Sequence, residues 1–424
     1  MLELNSKLET LAAWLNHLEQ LHPVTIELGL DRVNQVKQAL GIAPQFPIIT
    51  VGGTNGKGST CAMLEAILSA AGYRVGCYAS PHLRAYNERV RVNRTQVTDA
   101  ELCRSFAAVE AARGDTSLTY FEFGTLAAMW HLTQARVDVA VLEVGLGGRL
   151  DAVNIFDADC AIVTSVALDH MDYLGDTREA IGFEKAGIFR AGRPAIYGEV
   201  NPPQSLLNHA YEIGASLQVI GRDFRFETQN EAWQFLGKRG SHHALPYPAL
   251  RGAYQLNNAA VCLAALDELH GCLPVTENDI RRGLLEAVLP GRFQVLPGYP
   301  AVIVDVAHNP HAAQALAANL RAMPCPGKTI AVFSMLGDKD IAGVVAAMKD
   351  AVNMWIVAEL HEKRAAPLAC LKGVLHEAGL GKQSKTAESV TAAFEQACRM
   401  AGENDRILAF GSFYTVADIL NALA

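Results

Sequence analysis

No run in this chain approaches the roughly eighteen consecutive apolar residues that a membrane-spanning helix needs, although half of its 424 residues are hydrophobic. A spanning segment is therefore not expected. Basic charge is also short. Against 44 Asp and Glu stand 36 Lys and Arg, a formal net charge of −8, and no Lys/Arg cluster offers a footprint for a nucleic-acid backbone or an anionic membrane surface. Neither a nucleic-acid nor a membrane partner is expected. The nine cysteines are odd in number, scattered and never spaced Cys-x-x-Cys, which indicates neither a disulfide framework nor a zinc knuckle. They read as small buried hydrophobes in a reducing compartment. The opening MLELNSKLET has no basic region followed by an apolar run, so the chain reads as cytoplasmic. Short internal repeats and low-complexity tracts are missing too.

What is present is a globular composition in a chain too long for one ordinary core, so two domains are expected. Leu8, Leu11, Leu15 and Leu18 share one face of an opening helix, a core-packing pattern. Further on, short apolar runs alternate with amphipathic stretches: RVGCYAS to Ser80, VDVAVLEVG to Gly145, DCAIVTSVALDH to His170 and RPAIYGE to Glu199. Strand, helix, strand in succession predicts an α/β fold with a mostly parallel sheet covered on both faces. This first domain is placed at residues 1–289. Residues 288–300, VLPGRFQVLPGYP, concentrate Pro and Gly and read as a linker, set at 290–300. A second alternation through AVIVDVAHNP, KTIAVFSML, MWIVAEL and RILAFGSF predicts a smaller Rossmann-like domain over 301–424. No G-x-G-x-x-G follows its first strand, so a dinucleotide site is not expected there.

The most informative segment is PIITVGGTNGKGST, Pro47 to Thr60, where an apolar strand breaks into a Gly-rich turn ending in Lys57, Gly58, Ser59 and Thr60. Glycines let backbone N–H groups converge on an anion, the following helix offers its positive end, Lys57 can reach terminal phosphates and a hydroxyl can hold Mg²⁺. A nucleoside triphosphate is the implied ligand, at an N-terminal P-loop ATPase-type domain. The match to the general phosphate-loop pattern is imperfect: Val51 stands where the first Gly would fall, and Gly58 separates Lys57 from Ser59. An ordinary strand-to-helix glycine turn is the competing reading.

Other polar groups also sit at strand ends, where parallel sheets collect ligands. Glu143 leads into VGLGGRLDAVN, a position suited to a second Mg²⁺ ligand; a helix cap or an ion pair to Arg149 is the alternative. Asp169 and His170 end VALDH, placed for a metal or a phosphate, or as ordinary structural residues. Ser80, in ASPHL, could ligate Mg²⁺, while Arg84, Arg89 and Arg91 could hold an anionic substrate or form a solvated edge. In the second half, Asp305, His308, Asn309 and His311 in DVAHNPH, with Lys339 and Asp340 in MLGDKD, outline a cleft facing the first domain, and Arg292 is placed to cross to a bound nucleotide. Lys185, in GFEKAGIF, reads by itself as a surface helix residue.

Through TIELGL, GTNGKGST, ASPHL, LTYFEFGT, LEVGLGGRLDAVN, ALDH, FEKAGIF, LPGRFQ, DVAHNPHA and GSFYTVAD, in that order, the chain closely resembles the bifunctional dihydrofolate synthase/folylpolyglutamate synthase family, a branch of the Mur ligase superfamily. The resemblance implies that Thr54, Asn55, Gly56, Lys57, Gly58 and Ser59 hold ATP phosphates. It further implies Mg²⁺ at two sites, with Ser59, Ser80 and Glu143 at one and His170 at the other, and K⁺ as a further candidate ion. It turns Lys185 into a functional residue, because the family carries a carbamylated lysine there, and a carbamate supplies an anionic oxygen beside a metal. Asn258, Arg292 and Asp305 are expected at the nucleotide, and His308 near the glutamate or the reacting phosphate, with Lys57, Lys185, His170 and His308 as the catalytic set. For a pterin-bearing substrate the resemblance implicates Thr25, Ile26, Glu27 and Leu28, then Thr119, Tyr120, Phe121 and Glu122, then Leu150, Asp151 and Ala152, and Ser412.

The reaction so implied is attack of a substrate carboxylate on the γ-phosphate of ATP, giving an acyl phosphate that the glutamate amine then attacks. Lys57 and Mg²⁺ would neutralise charge on the transferring group, and domain closure would exclude water. The substrates implied are dihydropteroate, reduced folates and L-glutamate, and a monomer fits such an enzyme. The alternatives are a Mur-type amino-acid ligase acting on another acceptor, a P-loop NTPase or small-molecule kinase, and a nucleotide-sensing module.

Overall fold

The computed structural model describes residues 8–252 and 254–423, so the first seven residues of the MLELNSKLET stretch lie outside the described residues. The chain divides into two compact units: residues up to Ala249 with Leu256–Val288, and Leu250–Gln255 with the residues from Leu289 onward.

The sheet of the first unit is built from β1 (Ile48–Gly52), β2 (Val75–Tyr78), β3 (Val90–Val92), β4 (Thr95–Gln96), β5 (Val139–Glu143), β6 (Cys160–Val163), β7 (Pro194–Tyr197) and β8 (Ser216–Val219). Their spatial order is β4-β3-β2-β5-β1-β6-β7-β8. All neighbours from β2 through β8 pair in parallel, and β3 and β4 add antiparallel at one edge. IITVG, VAVLE and CAIV are buried at every position. Burial on both faces explains why these strands read as near-continuous apolar runs rather than alternating ones. The chain leaves β1 toward β5 and β2 and later returns on its other side as β6, so the strand order reverses at β1, where such sheets bind their ligands. The register aligns Val51 with Glu143 and Gly52 with Val163, which brings the ends of β5 and β6 level with the glycine turn.

Helices Leu11–Gln20, Asp99–Arg113 and Tyr120–Gln134 contribute Trp14, Leu18, Phe106 and Phe123 to one core. Leu18 is buried, and Leu11 and Leu15 pack partly buried against this cluster, in agreement with their spacing, while Leu8 packs against it from ahead of the helix, which starts only at Leu11. The largest side chain on that helix, Trp14, meets the Phe106 ring with centroids 5.9 Å apart. A small antiparallel sheet of β9 (Arg225–Gln229), β10 (Ala232–Leu236) and β11 (Ser241–Leu245) completes the unit. Its strand period of two is visible in β10, where Trp233 and Phe235 are buried and Gln234 is not.

In the second unit, β12 (Gln294–Leu296), β13 (Ala301–Asp305), β14 (Thr329–Phe333), β15 (Met354–Val357), β16 (Ser384–Thr386) and β17 (Arg406–Phe410) lie in the order β12-β13-β17-β14-β15-β16. All pairs are parallel except β12 with β13. The Pro/Gly-rich stretch read as a linker therefore contains an edge strand, β12, and a buried aromatic, Phe293. Its Pro and Gly residues punctuate the strand: Pro290 and Gly291 precede it, Pro297 and Gly298 follow it. Phe333, Trp355 and Phe410 centre the core here, with ring centroids 4.9 to 6.0 Å apart. Among the described residues no helix is long and apolar enough to cross a membrane.

Candidate active site

The glycine turn after β1 is fixed by steric demand. Gly53 has φ +140°, and a Cβ added to it would lie 1.9 Å from the Thr164 Oγ1. Gly56 has φ +88°, and its Cβ would lie 2.6 Å from the Asn258 Oδ1. Both positions exclude side chains through backbone conformation and close approach together. The turn is pinned to the residues just beyond β6. The Thr54 N–H donates to the Ser165 carbonyl at 2.9 Å, the Asn55 N–H to the Ser165 Oγ at 3.0 Å, and the Thr164 hydroxyl to the Asn55 carbonyl at 2.6 Å. The Thr54 hydroxyl donates to the Ala167 carbonyl and accepts from the Ala167 N–H.

Helix Lys57–Ala70 begins at Gly56 with no side-chain cap, and its first intrahelical bond runs from the Thr60 N–H to the Gly56 carbonyl. The amides of Thr54 and Asn55 are thus spent on Ser165, and the uncapped helix start at Lys57, Gly58 and Ser59 is the end that can face an anion. The Lys57 ammonium donates to the carbonyls of Gly53 and Thr54, at 3.0 and 3.3 Å. Ser59 is buried at this helix start.

Around this turn the sheet gathers several of the expected residues. Glu143, buried at the end of β5, accepts from the Ser80 N–H at 3.2 Å, so the two expected metal ligands adjoin. Arg149, the ion-pair partner considered for Glu143, pairs instead with Glu184 at 2.8 Å. Lys185 is buried, and its amine is pushed down to about 7 by desolvation and then by the Lys57 charge, against the pull of Asp169 and Asp151. Burial raises the Asp151 carboxyl to about 6 despite stabilising N–H groups of Leu146, Val153 and Gly145 and the charge of Lys57. The Asp151 carboxylate accepts from the Leu146 and Val153 amides at 2.8 and 2.9 Å and opens the short 3₁₀ turn Ala152–Ile155. Leu150 and Ala152 flank it. His170 has left-handed backbone, φ +52°, and its ring lies 3.9 Å from the Asp169 carboxylate.

Among the described residues no group of three or more His, Cys, Asp or Glu could hold a metal ion. The donor chemistry still suits Mg²⁺: a buried carboxylate and hydroxyls are hard oxygen ligands, and this ion is commonly held by one or two carboxylates plus substrate phosphates rather than by an all-protein cage.

Of the three arginines near Ser80, Arg84 is exposed, whereas Arg89 and Arg91 are not a solvated edge. Arg91 forms a bidentate pair with Glu65 of helix Lys57–Ala70. Buried Arg89 donates to the His82 Nδ1 at 2.9 Å and lies over the Tyr86 and Tyr120 rings. Loop residues Thr25, Ile26, Glu27 and Leu28 are joined to the Thr119–Glu122 turn by Arg32, which bonds the carboxylates of both Glu27 and Glu122. Phe121 and Tyr120 are half-buried there.

In the second unit Asp305 accepts from the Phe293 and Ala307 amides, each at 2.7 Å, and burial raises its carboxyl above the usual range. His308 donates from Nδ1 to the Val306 carbonyl at 2.8 Å, a partner that can only accept and so fixes the tautomer. Its ring centroid lies 6.1 Å from that of Phe413, and the Arg292 guanidinium lies 5.0 Å over the same ring. Ser412 caps the helix that begins at Phe413. Arg292, His308 and Ser412 thus gather about Phe413. Asn309 and Asp340 instead cap helices Pro310–Ala322 and Ile341–Met348, and His311 stacks edge-on with Tyr254.

Sequence reasoning missed the anchors Thr164 and Ser165 and the hub Arg32. Two hydroxyls directly after a central buried strand were the available signal for the first pair; nothing local marked Arg32.

A β1 glycine turn opening an uncapped helix, a carboxylate on the adjacent strand and a separate, mostly parallel second sheet fit a Mur-type ligase. In agreement, residues 51–266 match the Mur ligase middle domain, and residues 291–413 match the Mur ligase glutamate ligase domain. The chain belongs to the dihydrofolate synthase/folylpolyglutamate synthase family. It is 49% identical over 414 residues to the dihydrofolate synthase/folylpolyglutamate synthase of Escherichia coli strain K12, covering 97% of this chain and 95% of that protein. E. coli FolC in complex with DHPP and ADP superposes with a TM-score of 0.93 at 48% identity, covering 98% of both chains. A bifunctional folylpolyglutamate synthase/dihydrofolate synthase with Mn, AMPPNP and L-glutamate bound gives 0.91 at 47% identity, again covering 98% of both.

Proposed function

We propose that this chain is an ATP-dependent ligase that joins L-glutamate to dihydropteroate, giving dihydrofolate, and to reduced folates, giving folylpolyglutamates. The observation that carries the reading is the gathering, about the carboxyl ends of central strands of one sheet, of an uncapped helix start, Lys57, the Ser80–Glu143 pair and the buried amine of Lys185, in a chain of this family.

A free carboxylate is a poor acyl donor, so the acceptor's carboxylate first takes the γ-phosphoryl group of ATP, and the glutamate amine then displaces phosphate. The amides at Gly56 to Ser59 cradle the polyphosphate, and Lys57 exchanges its loop carbonyls for phosphate oxygens as charge shifts toward the leaving group. Ser59, Ser80 and Glu143 would hold one Mg²⁺ and His170 with carbamylated Lys185 a second, and the ions would supply further charge neutralisation when bound. Asn258, Arg292 and Asp305 address the nucleotide, His308 the glutamate or reacting phosphate, and Ser412 the acceptor. Thr25 to Leu28, Thr119 to Glu122 and Leu150 to Ala152 hold the pterin-bearing acceptor. No covalent enzyme intermediate is needed, so no side chain is assigned as nucleophile.

The decisive assay is phosphate release with ATP, Mg²⁺ and L-glutamate on either dihydropteroate or tetrahydrofolate, with products weighed by mass spectrometry. A gain of one glutamate on both acceptors is expected. Gain on tetrahydrofolate alone would remove the dihydrofolate synthase half, and glutamate-independent phosphate release without product would leave a simple NTPase.

Gly53→Ala tests the phosphate loop directly. The new methyl meets Thr164 at a φ that side chains rarely adopt, so kcat/KM for ATP is expected to fall about 100-fold, roughly 2.7 kcal/mol. The thermal upshift given by a non-hydrolysable ATP analogue with Mg²⁺ should vanish. A variant that keeps both would show that the glycine is dispensable.

A further inference from the structure

Of the residues expected to touch the pterin-bearing acceptor, three are acids, Glu27, Glu122 and Asp151, and the first two bond the same side chain. Arg32 stands between them. Its Nε donates to the Glu122 carboxylate at 2.9 Å, its Nη1 bonds the Glu27 carboxylate, and its Nη2 donates to the Glu27 carbonyl at 2.8 Å. Glu122 is buried and is also held from within its own helix, accepting from the Thr119 N–H and hydroxyl at 2.8 and 2.9 Å in a capping box. It is therefore a rigid anchor. Glu27 is exposed and reaches His22 as well, at 2.8 Å, and the other ring nitrogen of His22 meets the Ser117 hydroxyl at 2.6 Å. Ser117 in turn donates to the Leu21 carbonyl at 3.1 Å. The loop from Leu21 to Leu30 has no regular secondary structure, and these side chains tie both its ends to the start of helix Tyr120–Gln134.

We infer that Arg32 is a positioning residue for the acceptor: with Glu27, Glu122 and His22 it latches the 21–30 loop onto the turn that carries Thr119 to Glu122, so that the two acids set the shape of the acceptor site rather than read the pterin. This leaves Thr25, Ile26 and Leu28 as the loop residues that make the contacts. The inference rests on the proposed function in taking these segments as the acceptor site, but the latch is a physical arrangement that can be read without turnover. Arginine is suited to it because a planar fork bridges two carboxylates and a carbonyl at once, which a lysine ammonium does less well.

The test compares wild type, Arg32→Met, which keeps an unbranched stem, and Arg32→Lys, in steady-state kinetics and in amide hydrogen exchange of the ligand-free protein. Losing charge-assisted bonds at a site of this burial is expected to raise KM for dihydropteroate about ten-fold or more in Arg32→Met, with kcat and the KM values for ATP and L-glutamate within about two-fold of wild type. Arg32→Lys should fall between. Exchange at residues 21–30 should quicken in Arg32→Met while that of β1 and the phosphate loop stays unchanged. A wild-type KM for dihydropteroate, or an equal rise in KM for ATP, would overturn the positioning role; unchanged exchange at 21–30 would overturn the latch itself. Failure of the wild type to ligate glutamate to dihydropteroate would instead strike the proposed function, and the exchange measurement would still decide the latch.

Discussion

Lys57→Met is expected to lower kcat for glutamate ligation by about 100- to 1,000-fold, the range found when one preorganised charge stabiliser is removed from a transition state. The reason lies in where the ammonium sits. It donates to the carbonyls of Gly53 and Thr54, so in the absence of nucleotide its charge is held within the turn that the proposed function gives to the phosphates. Transfer of the phosphoryl group shifts negative charge toward the leaving group, and the ammonium gains most at that moment, so the effect belongs chiefly in kcat. Methionine keeps the stem and removes only the charge. KM for ATP should rise less than kcat falls, because the helix start and the amides from Gly56 to Ser59 remain. Stopped-flow phosphate release and steady-state kinetics separate the two. A variant with wild-type kcat and a raised KM would make Lys57 a ground-state binder only.

The parts of this site that were legible in the sequence are those whose chemistry is local. A glycine turn after a buried strand, a carboxylate closing VAVLE and a serine ending the next strand each announce themselves by residue type at a strand end, and the parallel sheet then brings them level, Val51 beside Glu143. What was not legible depends on contacts between distant segments. Ser165 matters because it receives the amides of Thr54 and Asn55 across more than a hundred residues of chain. Arg32 matters through Glu122, 90 residues away. Arg91 looked like a substrate arginine or a surface one, yet it pairs in the interior with Glu65; a charge pattern by itself cannot distinguish a solvated edge from a buried pair. The same limit applies to 288–300, where the Pro and Gly that suggested a linker also delimit the edge strand β12.

Lys185 shows the limit most clearly, because a lysine in a helix is ordinarily a solvated residue and here it is buried beside Lys57. Lys185→Ala is expected to reduce ligation at least about 100-fold, as loss of an anionic ligand beside a metal would, and added bicarbonate should not restore it. The wild type should behave differently. An amine can add CO₂ only when unprotonated, forming a carbamate and releasing a proton, and an ordinary lysine is almost wholly protonated at neutral pH. Burial and the Lys57 charge bring this amine down to about 7, so the reactive form predominates above that pH and is lost below it. In the metal-free protein, carbamate loading should therefore rise as pH increases through about 7 and decline on acidification. Carbon-13 bicarbonate and NMR would read the carbamate carbon directly, with Lys185→Ala as the blank. Wild type stripped of CO₂ should lose activity and regain it with bicarbonate. Full activity of Lys185→Ala, or a carbamate signal that persists in it, would remove Lys185 from the ligand set and leave its burial to be explained as packing alone.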